Sequence, residues 1–163
     1  MGIEKLTTLA FSMYSNKGAY ALLIGSGISR SSGIPSGWEV EKQLIQMLGE
    51  SQGVTEQEDW HQWYRERYGE PASYSSLLGA LATTPTERVQ LMRPFFEPTE
   101  EERELGRKEP TKAHRAIAQL AKEGYIRVIL TTNFDRLLEK ALEAEGVTPQ
   151  VISHEGAIAQ ATP

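Results

Sequence analysis

Two short stretches of this chain carry residue types and spacings that could do chemistry. The first is Gly25-Ser26-Gly27-Ile28-Ser29-Arg30, which follows an apolar run over residues 19–24 and continues as Ser31-Ser32-Gly33-Ile34-Pro35. Glycine has no Cβ, so a Gly-x-Gly turn lets the main chain approach a pyrophosphate closely. The helix start that follows would add N–H groups and a positive dipole end. Ser26, Ser29 and Arg30 could reach phosphate oxygens through a hydroxyl, a backbone N–H or a guanidinium. The dinucleotide fingerprint Gly-x-Gly-x-x-Gly is incomplete, because Arg30 stands at its third glycine and the next glycine is Gly33. A tight turn that binds nothing fits the same residues, with Ser29 a simple N-cap and Arg30 a surface charge.

The second stretch is Thr131-Thr132-Asn133-Phe134-Asp135, at the end of an apolar run over 125–130. Asn133 fits a turn at a strand end. Asp135 fits a helix cap or a first-turn acid favoured by the dipole. In an open α/β sheet, ligands bind beyond the carboxyl ends of the strands. Both stretches are therefore expected to face one crevice.

The elements that must position them follow from periodicity. Apolar residues at helical spacing predict a helix over 3–16, ended by Asn16-Lys17-Gly18. The run 19–24 reads as a strand buried on both faces of a parallel sheet. Residues 38–48 read as a helix with Val40, Leu44, Ile45 and Leu48 on one face and Gly49 as its stop. Thr55 with Glu58 forms a capping box ahead of Trp60, and 73–82 reads as a short helix. Thr84, Pro85 and Glu87 start a helix running to Phe96. The charged segment 97–109 reads as a solvated connection or an exposed helix. Thr111 caps a helix to Lys122, with Gly124 after it; 125–130 is a strand, 135–145 a helix and 147–153 a further strand. Strand–helix–strand order at short spacing argues for parallel crossovers and a doubly wound sheet. His114 reads as a packing or hydrogen-bonding residue of its helix, and His61, among Trp60, Trp63 and Tyr64, as part of a core or partner surface.

Composition sets the bounds. The 163 residues, 39% of them hydrophobic, suffice for one ordinary globular domain. A net charge of −5 argues against a generic nucleic-acid-binding surface. The absence of cysteine excludes disulfides and cysteine-ligated zinc in this sequence. No signal peptide is visible at Met1-Gly2-Ile3, and Leu6 stands where a myristoylation signal needs a hydroxyl residue. No apolar run is long enough to span a bilayer. A soluble cytoplasmic protein without a membrane partner is expected.

Taken in order, the two stretches resemble the signatures of the sirtuin family. Residues 25–35 are similar to its GAGIS-x-x-SGIP signature, and Thr131-Thr132-Asn133-Phe134-Asp135 is similar to its TQNID signature. Pro110-Thr111-Lys112-Ala113-His114 resembles the segment that precedes the second signature. The resemblance covers most of the chain. It implies an NAD-binding domain over 1–163 in an α/β fold, a doubly wound, mostly parallel, Rossmann-like sheet with a helical insertion at 54–109 between the two NAD-site motifs. It implies NAD as substrate or ligand, and contacts from Gly25, Ser26, Gly27, Ile28, Ser29, Arg30, Gly33, Ile34, Pro35, Thr131, Thr132, Asn133, Phe134 and Asp135; no metal is expected, because the sequence has no cysteine for the family's zinc ribbon. Asn133 would lie nearest the nicotinamide ribose, where a carboxamide can orient a water or hydroxyl without adding charge. Asp135 resembles the carboxylate that holds the nicotinamide amide.

The departures from the family pattern matter as much. In protein deacylases SGIP is followed by Asp-Phe-Arg; here Ser36-Gly37-Trp38 follows. Thr132 replaces the glutamine of TQNID, and the four-cysteine zinc ribbon is absent. These changes resemble the sirtuin-like domains of bacterial antiviral-defence proteins that hydrolyse NAD. The family's catalytic histidine lies in a His-Gly pair beyond the second signature. Here the downstream histidine is His154, followed by Glu155. His154 is thus the candidate base, or else a loop residue in a chain whose catalytic histidine lies beyond Pro163, in a larger protein of which this is the truncated N-terminal part. The expected function is that of an NAD-binding, nicotinamide-releasing domain of a prokaryotic defence protein, an NAD glycohydrolase in its full-length form. The alternatives are a non-catalytic module sensing NAD or ADP-ribose and, less favoured, an NAD-dependent deacylase. A further domain or partner protein of the defence system, and an oligomeric full-length protein, are also implied.

Overall fold

The computed structural model describes residues 3–159. The expectations attached to Gly2 and to residues 161–163 fall outside them. Among the described residues helix and strand are mixed, with 58% of them helical and two parallel strands in one small sheet. The chain divides into two compact units. One comprises Met1–Ile28 with Pro110–Pro163; the other is Ser29–Glu109.

The first unit holds α1 (Ile3–Ser15), β1 (Tyr20–Ile24), α7 (Lys112–Lys122), β2 (Ile126–Thr131), α8 (Leu137–Ala144) and the short α9 (Glu155–Ile158). β1 and β2 pair in parallel, with Leu22 opposite Ile129 and Ile24 opposite Thr131, after one irregularity between Tyr20 and Ala21. α7 is strongly amphipathic. Its Ala118 packs with Leu138, Ala141 and Leu142 of α8, and Ile24 and Ile129 of the sheet close over them. Thr111 caps α7, and Gly124 and Gly146 turn the chain in the left-handed region after α7 and α8.

Burial on both faces of the strand, expected for residues 19–24, is not what the sheet has. Burial alternates along β1, and the far face carries Leu23, Val128 and Leu130 at 74%, 54% and 56% exposure. Only one face is covered by the α7–α8 cluster, so the period of two appears where a doubly covered strand would show none. Residues 147–153 form no strand; they run as irregular chain, with Val151 and Ile152 exposed. β-Branched composition gave the segment strand character, but strand formation also needs a neighbouring strand to pair with.

The second unit is helical: α2 (Gly37–Ser51), α3 (Trp60–Tyr68), α4 (Tyr74–Leu81), α5 (Pro85–Phe96) and α6 (Glu100–Glu104). Its core is Val40, Leu44, Ile45 and Leu48 of α2 with Trp60, Tyr64, Leu77 and Phe95. The four α2 residues recur at i, i+4, i+5 and i+8, the stripe of a helix that buries one face. Full burial of a side chain such as Leu44 is worth about 1.5–3 kcal/mol. Gly49 does not stop α2; it lies inside the helix because the Trp60 ring lies on it, where a Cβ would come 2.4 Å from Cζ3. Thr55 does not cap α3 either. Asp59 does, accepting from the His61 and Gln62 N–H groups at 2.9 and 3.0 Å. The capping box at Thr84 and Glu87 is present, with Pro85 in the first turn of α5. Within 97–109, Thr99 caps the single turn α6. Among the described residues no helix is long and apolar enough to cross a membrane.

Candidate functional site

The two sequence stretches end adjacent strands of the first unit. β1 leads into Gly25, and β2 leads into Thr132; the ladder continues past the strand ends through the Thr132 N–H bonded to the Ile24 carbonyl at 3.3 Å. A Cβ on Gly25 would lie 3.5 Å from the Thr132 hydroxyl oxygen, so the two turns run side by side. Ser26–Ile28 winds one 3-10 turn, closed by the Ile28 N–H to the Gly25 carbonyl at 3.2 Å. Gly27 is exposed, and a Cβ there would meet nothing within 4 Å. Its φ is outside the left-handed region. Neither backbone strain nor protein packing asks for glycine at 27, which leaves room for another molecule to lie against the main chain.

On the second turn, the Asn133 N–H is bonded to the Thr131 hydroxyl at 3.1 Å, and the Asn133 carboxamide oxygen is buried. Phe134 projects into solvent. Asp135 is buried, and its Oδ1 accepts from the Leu137 N–H at 3.1 Å; the N-cap position of α8 itself is Arg136, which makes no side-chain cap bond.

Thr111 and His114 join this edge from α7. The Thr111 hydroxyl donates to the Ile28 carbonyl at 3.2 Å and lies 2.8 Å from His114 Nδ1. The Thr111 N–H donates to the same Nδ1 at 3.1 Å. His114 has no exposed surface. Burial pushes its pKa below the usual 6.5, opposed by the charge of Asp135. Sequence reading gave His114 a packing or hydrogen-bonding role but did not connect it to Ile28; the signal was the histidine at the third helical position, where a capping-box acceptor belongs.

The remaining residues of the first stretch open the second unit and form a turn of their own. Ser29 is buried, and its carbonyl accepts from the Ser32 hydroxyl at 2.6 Å and the Ser32 N–H at 3.1 Å. Gly33 has φ +84°, a conformation that costs other residues, so the turn alone explains this glycine. Ile34 is buried and Pro35 half-buried. The Arg30 guanidinium pairs with Glu39 at 3.3 and 3.4 Å. The Ser36 hydroxyl and N–H, and after them Arg30, hold the Glu39 carboxyl below its usual 4.5. Exposed pairs of this kind are worth little.

The second unit also has a groove of about 560 Å³, lined by Gln46, Glu50, Thr55, Glu56, Gln57, Glu58 and Trp60. It contains none of the expected site residues, and its three carboxylates disfavour a phosphate ligand. Sequence reading also missed Lys108 in the charged segment. Its ammonium is buried, donating to the Pro94 and Glu97 carbonyls at 2.7 and 3.2 Å and to Glu102 at 2.9 Å. His154 lies at the start of α9, exposed, with no hydrogen bond to its ring among the described residues. Among the described residues no cluster of three or more His, Asp or Glu could hold a metal ion. No family model matches the chain, and no curated protein matches it.

Proposed function

We propose that the chain binds NAD or ADP-ribose along the edge formed by residues 25–28 and 131–135, and that it releases nicotinamide from NAD within a prokaryotic defence protein. The sirtuin-like reading, and with it a doubly wound, Rossmann-like sheet larger than the two strands described, belongs to the same proposal. The observation that carries it is the side-by-side placement of the two turns at the carboxyl ends of two parallel, hydrogen-bonded strands. That is where an open α/β sheet takes its ligand. The open space over Gly27 is the second support: a Cβ there would fill the room a pyrophosphate needs. The Asn133 carboxamide can orient a water or a ribose hydroxyl while cleavage builds positive charge on the sugar, and fixed dipoles aimed at developing charge supply much of such catalysis.

One observation favours the sensing alternative. A general base must be held within hydrogen-bond reach of its proton, and the His154 ring is exposed and makes no hydrogen bond among the described residues. Asn133 cannot accept a proton at neutral pH. Incubation with NAD, with and without an acylated peptide, separates the readings. Free nicotinamide without peptide supports hydrolysis. Binding without turnover supports sensing. Nicotinamide release that depends on the peptide supports deacylation, against the expectation from Ser36-Gly37-Trp38.

A further inference from the structure

We infer that His114 is a positioning residue for the glycine turn: its neutral ring accepts at Nδ1, orients Thr111, and through the Thr111 hydroxyl fixes the Ile28 carbonyl. The inference rests on the NAD reading of this edge and adds to it a proton-sensitive support. The geometry assigns the tautomer. The Thr111 N–H can only donate, and it points at Nδ1 from 3.1 Å, so Nδ1 carries a lone pair and the ring proton is on Nε2. The Thr111 hydroxyl, 2.8 Å from the same nitrogen and 3.2 Å from the Ile28 oxygen, has one proton to share between these two acceptors. Adding a proton to Nδ1 turns it into a donor. The Thr111 N–H then faces another N–H with nothing to accept it, and the cap at the start of α7, which carries Thr111, loosens.

His114 sits where such a change is felt. It is fully buried, and the helix beside it presents the apolar Leu138, Ala141 and Leu142 to Ala118 of α7. The charge that reaches the ring comes from Asp135, on the turn carrying Asn133; it favours protonation, while burial opposes it more strongly. Lys112 and Arg115, on its own helix, are exposed. One buried ring thus touches both turns, by hydrogen bonds through Thr111 to Ile28 and by the field of Asp135.

The test uses ADP-ribose and the chain in three forms. His114→Asn keeps an acceptor oxygen near the place of Nδ1 but cannot take up a proton; His114→Phe keeps a ring and removes the acceptor. At pH 8 the Asn form should bind ADP-ribose nearly as well as the unaltered chain. The Phe form should lose about tenfold, the effect of leaving a partly buried donor unsatisfied. On titration to pH 5 the unaltered chain should weaken while the Asn form stays level. Equal affinity in all three forms, or parallel pH profiles for the unaltered chain and the Asn form, overturns the inference. If the Phe form does not fold, the pH profiles of the other two decide. Nitrogen NMR on the ligand-free protein gives an independent readout: a protonated, pyrrole-like Nε2 and an unprotonated Nδ1 are expected at neutral pH, and the reverse pattern overturns the inference on its own. An unaltered chain that shows the expected tautomer yet binds no ADP-ribose overturns instead the NAD reading, and the role of the clamp in it.

Discussion

Replacing Gly27 by alanine separates a ligand-imposed glycine from a fold-imposed one. The added Cβ would meet no protein atom within 4 Å, and the backbone φ at 27 lies outside the left-handed region. The folded state therefore gains no strain. The unfolded chain loses freedom, which stabilises the protein by about 0.4–1 kcal/mol. For a chain of this size that raises Tm by roughly 1–4 °C. Binding should move the other way. A pyrophosphate seated on the bare main chain makes charge-assisted hydrogen bonds worth about 1.5–3 kcal/mol each. A methyl group in its place displaces the anion and costs at least one of them, about 10- to 100-fold in Kd. Calorimetric titration with ADP-ribose, paired with thermal melting, reads both effects. A Gly27→Ala protein with Tm unchanged or raised and an affinity within about twofold of the unaltered chain would refute the reasoning, because the open space over Gly27 would then hold nothing.

Gly49→Ala should destabilise despite the better helix propensity of alanine. A Cβ 2.4 Å from the Trp60 ring overpacks the core by about 1–3 kcal/mol, against a helix gain of about 1 kcal/mol, and urea unfolding should show a net loss. Asp59→Ala should cost about 1 kcal/mol of stability, whereas Thr55→Ala should fall within about 0.5 kcal/mol of the original, since Asp59 and not Thr55 caps α3. Stability should fall in acid in two stages. His114 has its pKa lowered from 6.5, so its contribution is complete above 6.5 and is lost as the pH falls through its lower folded value; Glu39, Glu87 and Glu102, lowered from 4.5, lose theirs below 4.5, and Asp59 below 3.8. Melting temperatures between pH 8 and 3 check the order, and His114→Asn should remove the first stage alone.

The helices were the most legible part of the sequence, because their signals are local. The stripe Val40, Leu44, Ile45, Leu48 and the Thr84-Pro85-Glu87 start each fix a helix from a few turns of chain or less. The errors came where a distant residue decides. Gly49 reads as a stop until Trp60 is known to lie on it. Residues 147–153 have strand composition, but a strand exists only against a partner. Thr55 and Asp59 are both good caps, and the choice turns on where Trp60 is buried. The two turns of the candidate site were visible as motifs, and the parallel pairing of their strands was expected from the strand–helix–strand order, but the register was not. The Thr111 and His114 support was not, because its partner Ile28 is 83 residues away.

The central claim is that residues 25–28 and 131–135 form one ligand edge. Titration of the isotope-labelled chain with ADP-ribose, followed by backbone amide NMR, tests it most directly. Saturable shifts are expected, largest at Gly25, Ser26, Gly27, Ile28, Asn133 and Asp135. The absence of shifts up to about 1 mM ligand, the range of a Kd worth about −4 kcal/mol, or shifts centred on Glu50, Glu56 and Trp60 of the groove in the helical unit, would contradict it.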